Sequence, residues 1–202
     1  MFLSSGKLLT LALTALTCVS ASPIALEERS SNVIIAYRTV SAKQAEEYNK
    51  YGTVVYTKNL IGKQLGEGVY TTPNRGGWVG GKDDWYCVIQ ADETKFNAAK
   101  KAWIPEKDGE TKVWWKTSAI DDYIKTLHDT PDDTMRVSVI DGDADKTLQM
   151  VIPPKLLGTK SLLGKYSKGP LDLTASCKQK MTDLPDHTVD YKTWKNIGGT
   201  AQ

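Results

Sequence analysis

Hydrophobic positions along the chain predict short strands more often than helices. Runs of β-branched, aromatic and small residues, clustered or alternating with polar ones, are typical of strands. Such runs lie at residues 33–38, 53–57, 68–72, 85–91, 113–115, 135–139 and 148–152. Because these strands outnumber the helices, the pattern favours an α+β fold, with a curved antiparallel or mixed sheet flanked by a few helices, over a parallel α/β fold.

Three segments have helical character. Ser41 with Gln44 three positions later forms a capping box, and Gly52 marks the end of that helix, which offers Ala45 and Tyr48 on one face. Residues 92–101 read as a short helix. The clearest helix follows Ser118, where apolar residues recur at helical spacing. These residues are Ile120, Tyr123, Ile124 and Leu127.

The N-terminus predicts secretion. Lys7 precedes an apolar stretch that is too short to span a membrane and ends in the small residues before Ser22, which is typical of a cleavable signal peptide. We therefore expect residues 1–21 to be a signal peptide and 22–31 a disordered leader or short pro-segment. Residues 32–202 are then one globular domain, of ordinary size, with a loosely ordered C-terminal tail.

The charge of the chain is nearly balanced. Its 26 basic and 24 acidic residues give a net charge of +2, which becomes +1 when Lys7 leaves with the signal peptide. Acidic and basic residues alternate without a basic tract, so no nucleic acid partner is predicted. We expect an extracellular monomer with no membrane span and with an unknown protein or small-molecule target.

Cysteine usage predicts one disulfide bond. Cys18 lies in the signal peptide, which leaves Cys87 and Cys177, and an isolated pair in an oxidising compartment is most simply a bridge. A catalytic thiol is the alternative, and it would need His128 or His187 as its base.

Familiar catalytic motifs are missing from the sequence. It has no nucleophile elbow, phosphate loop or dinucleotide glycine fingerprint, and two histidines are too few for a typical zinc site, so no metal is expected. The acidic run at residues 141–145 lacks the glycine and closing glutamate of a calcium loop and is read as a polar turn. Six tryptophans, against two phenylalanines, could pack the core or stack on sugars or bases.

Three separated segments resemble the landmarks of the ADP-ribosyltransferase fold. They are Tyr37-Arg38 on the first strand, the run Gly68-Val69-Tyr70-Thr71-Thr72, and the late strand Gln149-Met150-Val151-Ile152-Pro153. More closely, the span from Tyr37 to Pro154 resembles a set of small secreted fungal proteins. The resemblance implies a curved, mostly antiparallel sheet and NAD as a substrate.

The resemblance also implies roles for these residues. Arg38, also a catalytic candidate, would hold a phosphate or ribose of NAD, and Tyr70 and Thr71 would shape the nicotinamide pocket. Tyr37 and Gly68 would belong to the same cofactor site. The catalytic carboxylate would stand at Gln149, where this chain has a neutral amide. Loss of such an electrostatic group costs about 10²–10³ in rate.

Two hypotheses remain open from the sequence. The first is a secreted ADP-ribosyltransferase-like toxin or effector with weak NAD binding or NAD cleavage. The second is a non-catalytic binding module on the same scaffold, whose tryptophan-rich loop, residues 74–85, contacts a protein or a glycan. The neutral Gln149 favours the second hypothesis, and the order of the three landmarks favours the first.

Overall fold

The computed structural model describes residues 31–58 and 63–202. The expected signal peptide and residues 22–30 of the expected leader lie outside the described residues. The strands are β1 (Asn32–Val40), β2 (Val69–Thr71), β3 (Trp85–Asp92), β4 (Lys100–Trp103), β5 (Lys107–Asp108), β6 (Thr111–Lys112), β7 (Thr134–Val139), β8 (Leu148–Ile152), β9 (Thr174–Lys178) and β10 (Ile197–Gly198). The α-helices are α1 (Ala42–Tyr51), α2 (Glu93–Ala98) and α3 (Thr117–Thr126).

Two larger sheets and one small hairpin form the α+β architecture. The first sheet has the order β1-β3-β9, the second has the order β10-β4-β7-β8-β2, and β5 pairs with β6. Only the β4–β7 and β10–β4 pairs are parallel among the described strands. The prediction of an α+β fold with mostly antiparallel strands is therefore confirmed.

Among the described residues, two of the three parts of the hydrophobic core lie against the second sheet. The larger part contains apolar side chains of both sheets and of α1, such as Ile89, Met150 and Tyr48. The smaller part joins α3, through Ile120 and Ile124, to β8. Since apolar residues of β8 contribute to both parts, the second sheet is covered on both faces.

Local signals fix α1 as the sequence predicts. The Ser41 side chain accepts a hydrogen bond from the Gln44 backbone N–H, and Gly52 ends the helix in the left-handed conformation. Ala45 and Tyr48 are the buried residues of this helix. The predicted capping and the predicted buried face are both confirmed.

Several predicted elements are wrong. Residues 53–57 and 113–115 form no strand, although Val54 and Val113 are buried in the core. The helix expected at residues 92–101 ends at Ala98, and Lys100 begins β4. An apolar run indicates that a segment is buried in the fold. Burial alone does not distinguish a strand from a packed loop, because a strand also needs a neighbouring strand with which to pair.

The C-terminal segment packs against the core, whereas the sequence predicts a loosely ordered tail. Tyr191 is fully buried against Trp194, and β10 pairs with β4. Lys101 links this segment to the rest of the fold. Its buried ammonium group donates hydrogen bonds to the carbonyls of Phe96, Ala99 and Lys195 at 2.6, 2.9 and 3.1 Å.

The buried Lys101 should cause the free energy of unfolding to depend on pH in mild alkali. Burial lowers the pKa of its ammonium group from 10.5 to about 8. Between these two pH values the unfolded chain binds the extra proton, so the free energy of unfolding should increase as the pH rises. Urea unfolding of the natural protein and of Lys101→Met, compared at several pH values from about 7 to about 10.5, isolates this contribution as a change in their difference. Parallel curves for the two proteins would contradict it.

The predicted disulfide bond is present between Cys87 and Cys177. The two residues lie opposite each other on β3 and β9, and both are buried. The bond is compatible with secretion, because such bridges persist in oxidising compartments.

Within the described ranges, no helix is both long and apolar enough to cross a membrane.

Candidate functional site

A cleft of about 380 Å³ opens where the two sheets meet. The meeting point is a single antiparallel bridge, in which the backbones of Tyr37 on β1 and Thr72 after β2 exchange two hydrogen bonds of 2.8 Å. Strand β8 lies beside β2, with Tyr70 opposite Val151. The bridge thus brings residues from three strands, Arg38, Tyr70 and Gln149, to the same cleft.

Among the residues that the structure describes, Arg38 is the only arginine that lines this cleft, and its positive charge has no paired carboxylate there. The side chain is 9% exposed, and its Nη1 atom is buried without a hydrogen-bond partner among the described residues. No ion pair joins it to a carboxylate in the part of the chain that the structure describes. Burying a cationic donor without a partner is costly, so this group is poised to bind an anionic ligand.

Gln149 is held in the cleft by a second glutamine. Its Nε2 atom donates to Oε1 of Gln64 at 2.7 Å and to the carbonyl of Val139 at 3.3 Å. The carbonyl oxygen Oε1 of Gln149 makes no hydrogen bond with any described residue. It therefore remains as a neutral acceptor for a hydroxyl or an amide of a ligand.

Backbone groups fix which way the Gln64 amide points. Its Oε1 atom accepts the backbone N–H of Asp141 at 2.9 Å, and its Nε2 atom donates to the carbonyl of Val139 at 2.9 Å. Neither backbone group can exchange its role, so a reversed Gln64 would lose both bonds. Gln149 must then donate to Oε1 of Gln64, and only its own oxygen is left for the cleft.

Trp115 forms part of the cleft in a constrained conformation. Its φ angle is 68°, a left-handed value that is uncommon for a large side chain, and its backbone N–H donates to the carbonyl of Gln64 at 2.9 Å. The indole N–H donates to Asp141 Oδ2 at 2.7 Å, and the residue stays 49% exposed. A ring that is held at its polar edge and open to solvent is suited to stack on a flat ligand.

A second indole lies at the cleft on the loop before β3. Trp78 is 51% exposed, and its carbonyl accepts a hydrogen bond of 2.8 Å from the Thr39 hydroxyl. Val79, next to it, is 90% exposed. The loop at residues 74–85 therefore presents apolar surface beside the cleft, as the binding-module hypothesis requires.

Tyrosine hydroxyls in the cleft wall are already used by the fold. The Tyr70 hydroxyl donates to the carbonyl of Gly66 and accepts the N–H of Leu65, both at 2.9 Å, and burial raises its pKa. The Tyr37 hydroxyl donates to the carbonyl of Pro185 at 2.8 Å. Thr71 likewise donates to the Met150 carbonyl at 3.0 Å. These residues shape the cleft and have little hydrogen-bonding capacity left for a ligand.

Gly68 does not line the cleft, although the sequence assigns it to the cofactor site. Its φ is 147°, and an added Cβ would lie 2.5 Å from the Ile152 carbonyl oxygen. Glycine is needed there for the close approach of β2 to β8. Cys87 and Cys177 are also outside the cleft lining. No cluster of histidine, cysteine, aspartate or glutamate suited to a metal occurs among the residues with described positions.

Sequence patterns do not assign several polar and aromatic residues to the site. Gln64, Trp115 and Asp141 all line the cleft, yet none follows a recognisable signature. Trp115 was expected in a strand, and Asp141 was expected in a polar turn, which it does begin. Their roles depend on contacts between segments that are far apart in sequence, so local patterns could not reveal them.

Comparison with known proteins adds a family but no activity. Residues 63–200 match the model described as "Family of unknown function (DUF5910)", and since the match covers more than half of the chain, the protein belongs to that family. None of the curated proteins and none of the solved structures matches the chain.

Proposed function

We propose that this member of DUF5910 is a secreted, ADP-ribosyltransferase-like protein that binds NAD in the cleft and has lost most of the power to cleave it. The observation that carries the proposal is the buried Nη1 of Arg38, which has no partner within residues 31–58 and 63–202, in a cleft that also contains Gln149. A buried polar group without a partner needs an explanation, and a bound anion is one that suits a guanidinium. Secretion is supported by the N-terminal sequence and by the disulfide bond.

The chemistry of the cleft suits the parts of NAD. The guanidinium of Arg38 can bind a diphosphate oxygen by a charge-assisted hydrogen bond, and Oε1 of Gln149 can accept a ribose hydroxyl. Trp115 offers a stacking surface for the nicotinamide or adenine ring. A ligand with an anionic group, a hydroxyl-bearing sugar and a flat ring would satisfy all three.

The same chemistry explains why cleavage should be weak. Expulsion of nicotinamide leaves an oxocarbenium-like ribose, whose positive charge a nearby carboxylate stabilises more in the transition state than in the ground state. Gln149 supplies a neutral oxygen instead. Asp141 is the carboxylate that lines the cleft, and its Oδ2 is engaged by the Trp115 indole.

Calorimetric titration of the secreted protein with NAD tests the proposal directly. We expect saturable binding, and a change in tryptophan fluorescence on binding that is diminished in Trp115→Phe, which keeps a ring but removes that indole. Trp194→Phe is the matched control, because Trp194 packs against Phe96 and Tyr191 away from the cleft. Absence of NAD binding at millimolar concentration would refute the proposal. The apolar loop at Trp78 and Val79 would then favour a protein or glycan ligand.

Gln149→Glu should restore NAD cleavage in a pH-dependent manner. The new carboxylate would face Oε1 of Gln64, which cannot turn away, so burial and this oxygen should raise the pKa of the introduced group. We expect release of nicotinamide to increase about 10²–10³-fold over the natural protein near pH 9, and much less near pH 6.

Gln149→Met serves as the control for this substitution, because it keeps the volume of the side chain and supplies no charge. It should not gain activity at either pH. If Gln149→Glu binds NAD and yet releases no nicotinamide at any pH, the cleft is a binding site without transferase chemistry.

A further inference from the structure

A hairpin far along the chain exposes two adjacent leucines completely. The hairpin, residues 158–168, has Leu162 and Leu163 at its tip with relative exposures of 106% and 88%. Single apolar residues on a surface are ordinary, but a protruding pair with no neighbour is a feature of interaction sites.

Backbone contacts define the hairpin that presents these leucines. Lys160 and Tyr166 form an antiparallel bridge, and the Ser161 N–H donates to the Lys165 carbonyl at 2.7 Å. Gly164 closes the turn at φ 75° and donates its N–H to the Ser161 carbonyl at 3.0 Å. At the base, the Tyr166 ring lies 4.7 Å from that of Tyr51 on α1. These contacts attach the base of the hairpin to α1 and leave the leucines at its exposed tip.

Positive charge surrounds the apolar tip. Residues 155–171 contain four lysines and no acidic residue. Lys155 pairs with Asp133, but Lys160, Lys165 and Lys168 are exposed and form no ion pair within the described ranges. The overall charge of the protein is nearly neutral, so this local excess of three unpaired cations is a distinct feature.

We propose that the 158–168 hairpin anchors the protein to anionic lipid surfaces. Leucines that enter the acyl boundary, with lysines at the level of the headgroups, are the combination used by interfacial anchors. A protein partner fits less well, since lysine is depleted at protein interfaces and leucine is under-represented among their hot spots. The hairpin is not part of the cleft, so this inference stands without the proposed NAD site.

Flotation with lipid vesicles tests the anchor. The secreted protein should float with phosphatidylcholine vesicles that contain about 30% phosphatidylserine, and bind far less to phosphatidylcholine alone. Binding should weaken steeply between about 0.05 and 0.5 M salt, because screening shortens the reach of the lysines. No flotation with the anionic vesicles at low salt would overturn the proposal.

Substitution of the two leucines tests the apolar contribution of the tip to vesicle binding. Leu162→Ser with Leu163→Ser should lower the vesicle partition coefficient at least about tenfold, because the lost transfer of two leucines into the bilayer is not replaced. Met181→Ser, at an exposed apolar residue outside both the hairpin and the 74–85 loop, is the control and should change little. Equal binding by the double leucine variant and the natural protein would overturn the anchor, whether or not the lysines matter.

The lysines have a matched control as well. Lys160→Gln, Lys165→Gln and Lys168→Gln combined should reduce binding to anionic vesicles by roughly fivefold for each lysine. The same loss of three charges at Lys82, Lys107 and Lys112, which are exposed elsewhere, should have a smaller effect. Equal losses in the two triple variants would show attraction by net charge alone and would overturn the site.

Discussion

Arg38→Met should weaken NAD binding roughly 10- to 100-fold and leave the protein at least as stable as before. The loss of affinity follows from the removal of a hydrogen bond to a charged ligand group, which contributes about 1.5–3 kcal/mol. Stability should hold or increase, because Nη1 of Arg38 is buried and has no hydrogen-bond partner in the described part of the chain. Replacing an unsatisfied buried charge by an apolar side chain of similar length is commonly neutral or stabilising.

Arg75 provides the opposite case in the same protein. Its guanidinium donates to the Leu184 carbonyl at 2.9 Å and pairs with Asp186 at 2.6 Å, outside the cleft lining. Arg75→Met should therefore lower stability and leave NAD binding unchanged. Urea unfolding of both variants measures the change in stability, and calorimetric titration measures the change in NAD affinity. If Arg38→Met lost stability and kept full affinity for NAD, Arg38 would be a structural residue and the proposed NAD site would be refuted.

Cys177→Ser should lower the free energy of unfolding by about 4–5 kcal/mol. The bond joins residues separated by 90 positions, and the chain-entropy model assigns a stabilisation of this size to so long a loop. Strand β9 should still pair with β3, because Asn49 on α1 donates to the Cys177 carbonyl and accepts its N–H at 3.1 and 2.8 Å. We therefore expect a folded protein of reduced stability.

Urea unfolding with the reduced natural protein as the control measures this loss. Reduction removes the bond without changing a side chain at either position, so the reduced protein should match Cys177→Ser closely. The mass of the intact secreted protein should show two thiols only after reduction. Two free thiols in the protein as secreted would contradict the bridge.

Some elements could be predicted because their signals are local. Helix α1 carries its own start at Ser41 and its own stop at Gly52, and β8 was expected at residues 148–152, where it lies. Strand β9 carries no such signal, because its sequence Thr-Ala-Ser-Cys-Lys has little apolar character. It exists because β3 offers an edge with which it pairs. Its absence from the sequence prediction therefore has a physical reason.

The cleft likewise contains some side chains that the sequence could indicate and others that depend on contacts between distant segments. Resemblance to a transferase fold singled out Arg38, Tyr70 and Gln149, and the structure brings these three together. Gln64 could not be found in this way, because its importance depends on backbone groups of Val139 and Asp141 that lie some 75 residues away. The polarity of those groups decides which atom of Gln149 faces a ligand.

The sequence by itself determined the class of fold, the disulfide pair and the absence of a carboxylate at position 149, because periodicity, residue counts and residue identity are local properties of a chain. Only the tertiary structure decided that Nη1 of Arg38 would find no partner among the described residues, that Trp115 would be held at the cleft and that Leu162 would protrude from the surface. These outcomes depend on which distant groups meet. A hydrogen bond is either made or lost within a fraction of an ångström, and no local pattern encodes that distance.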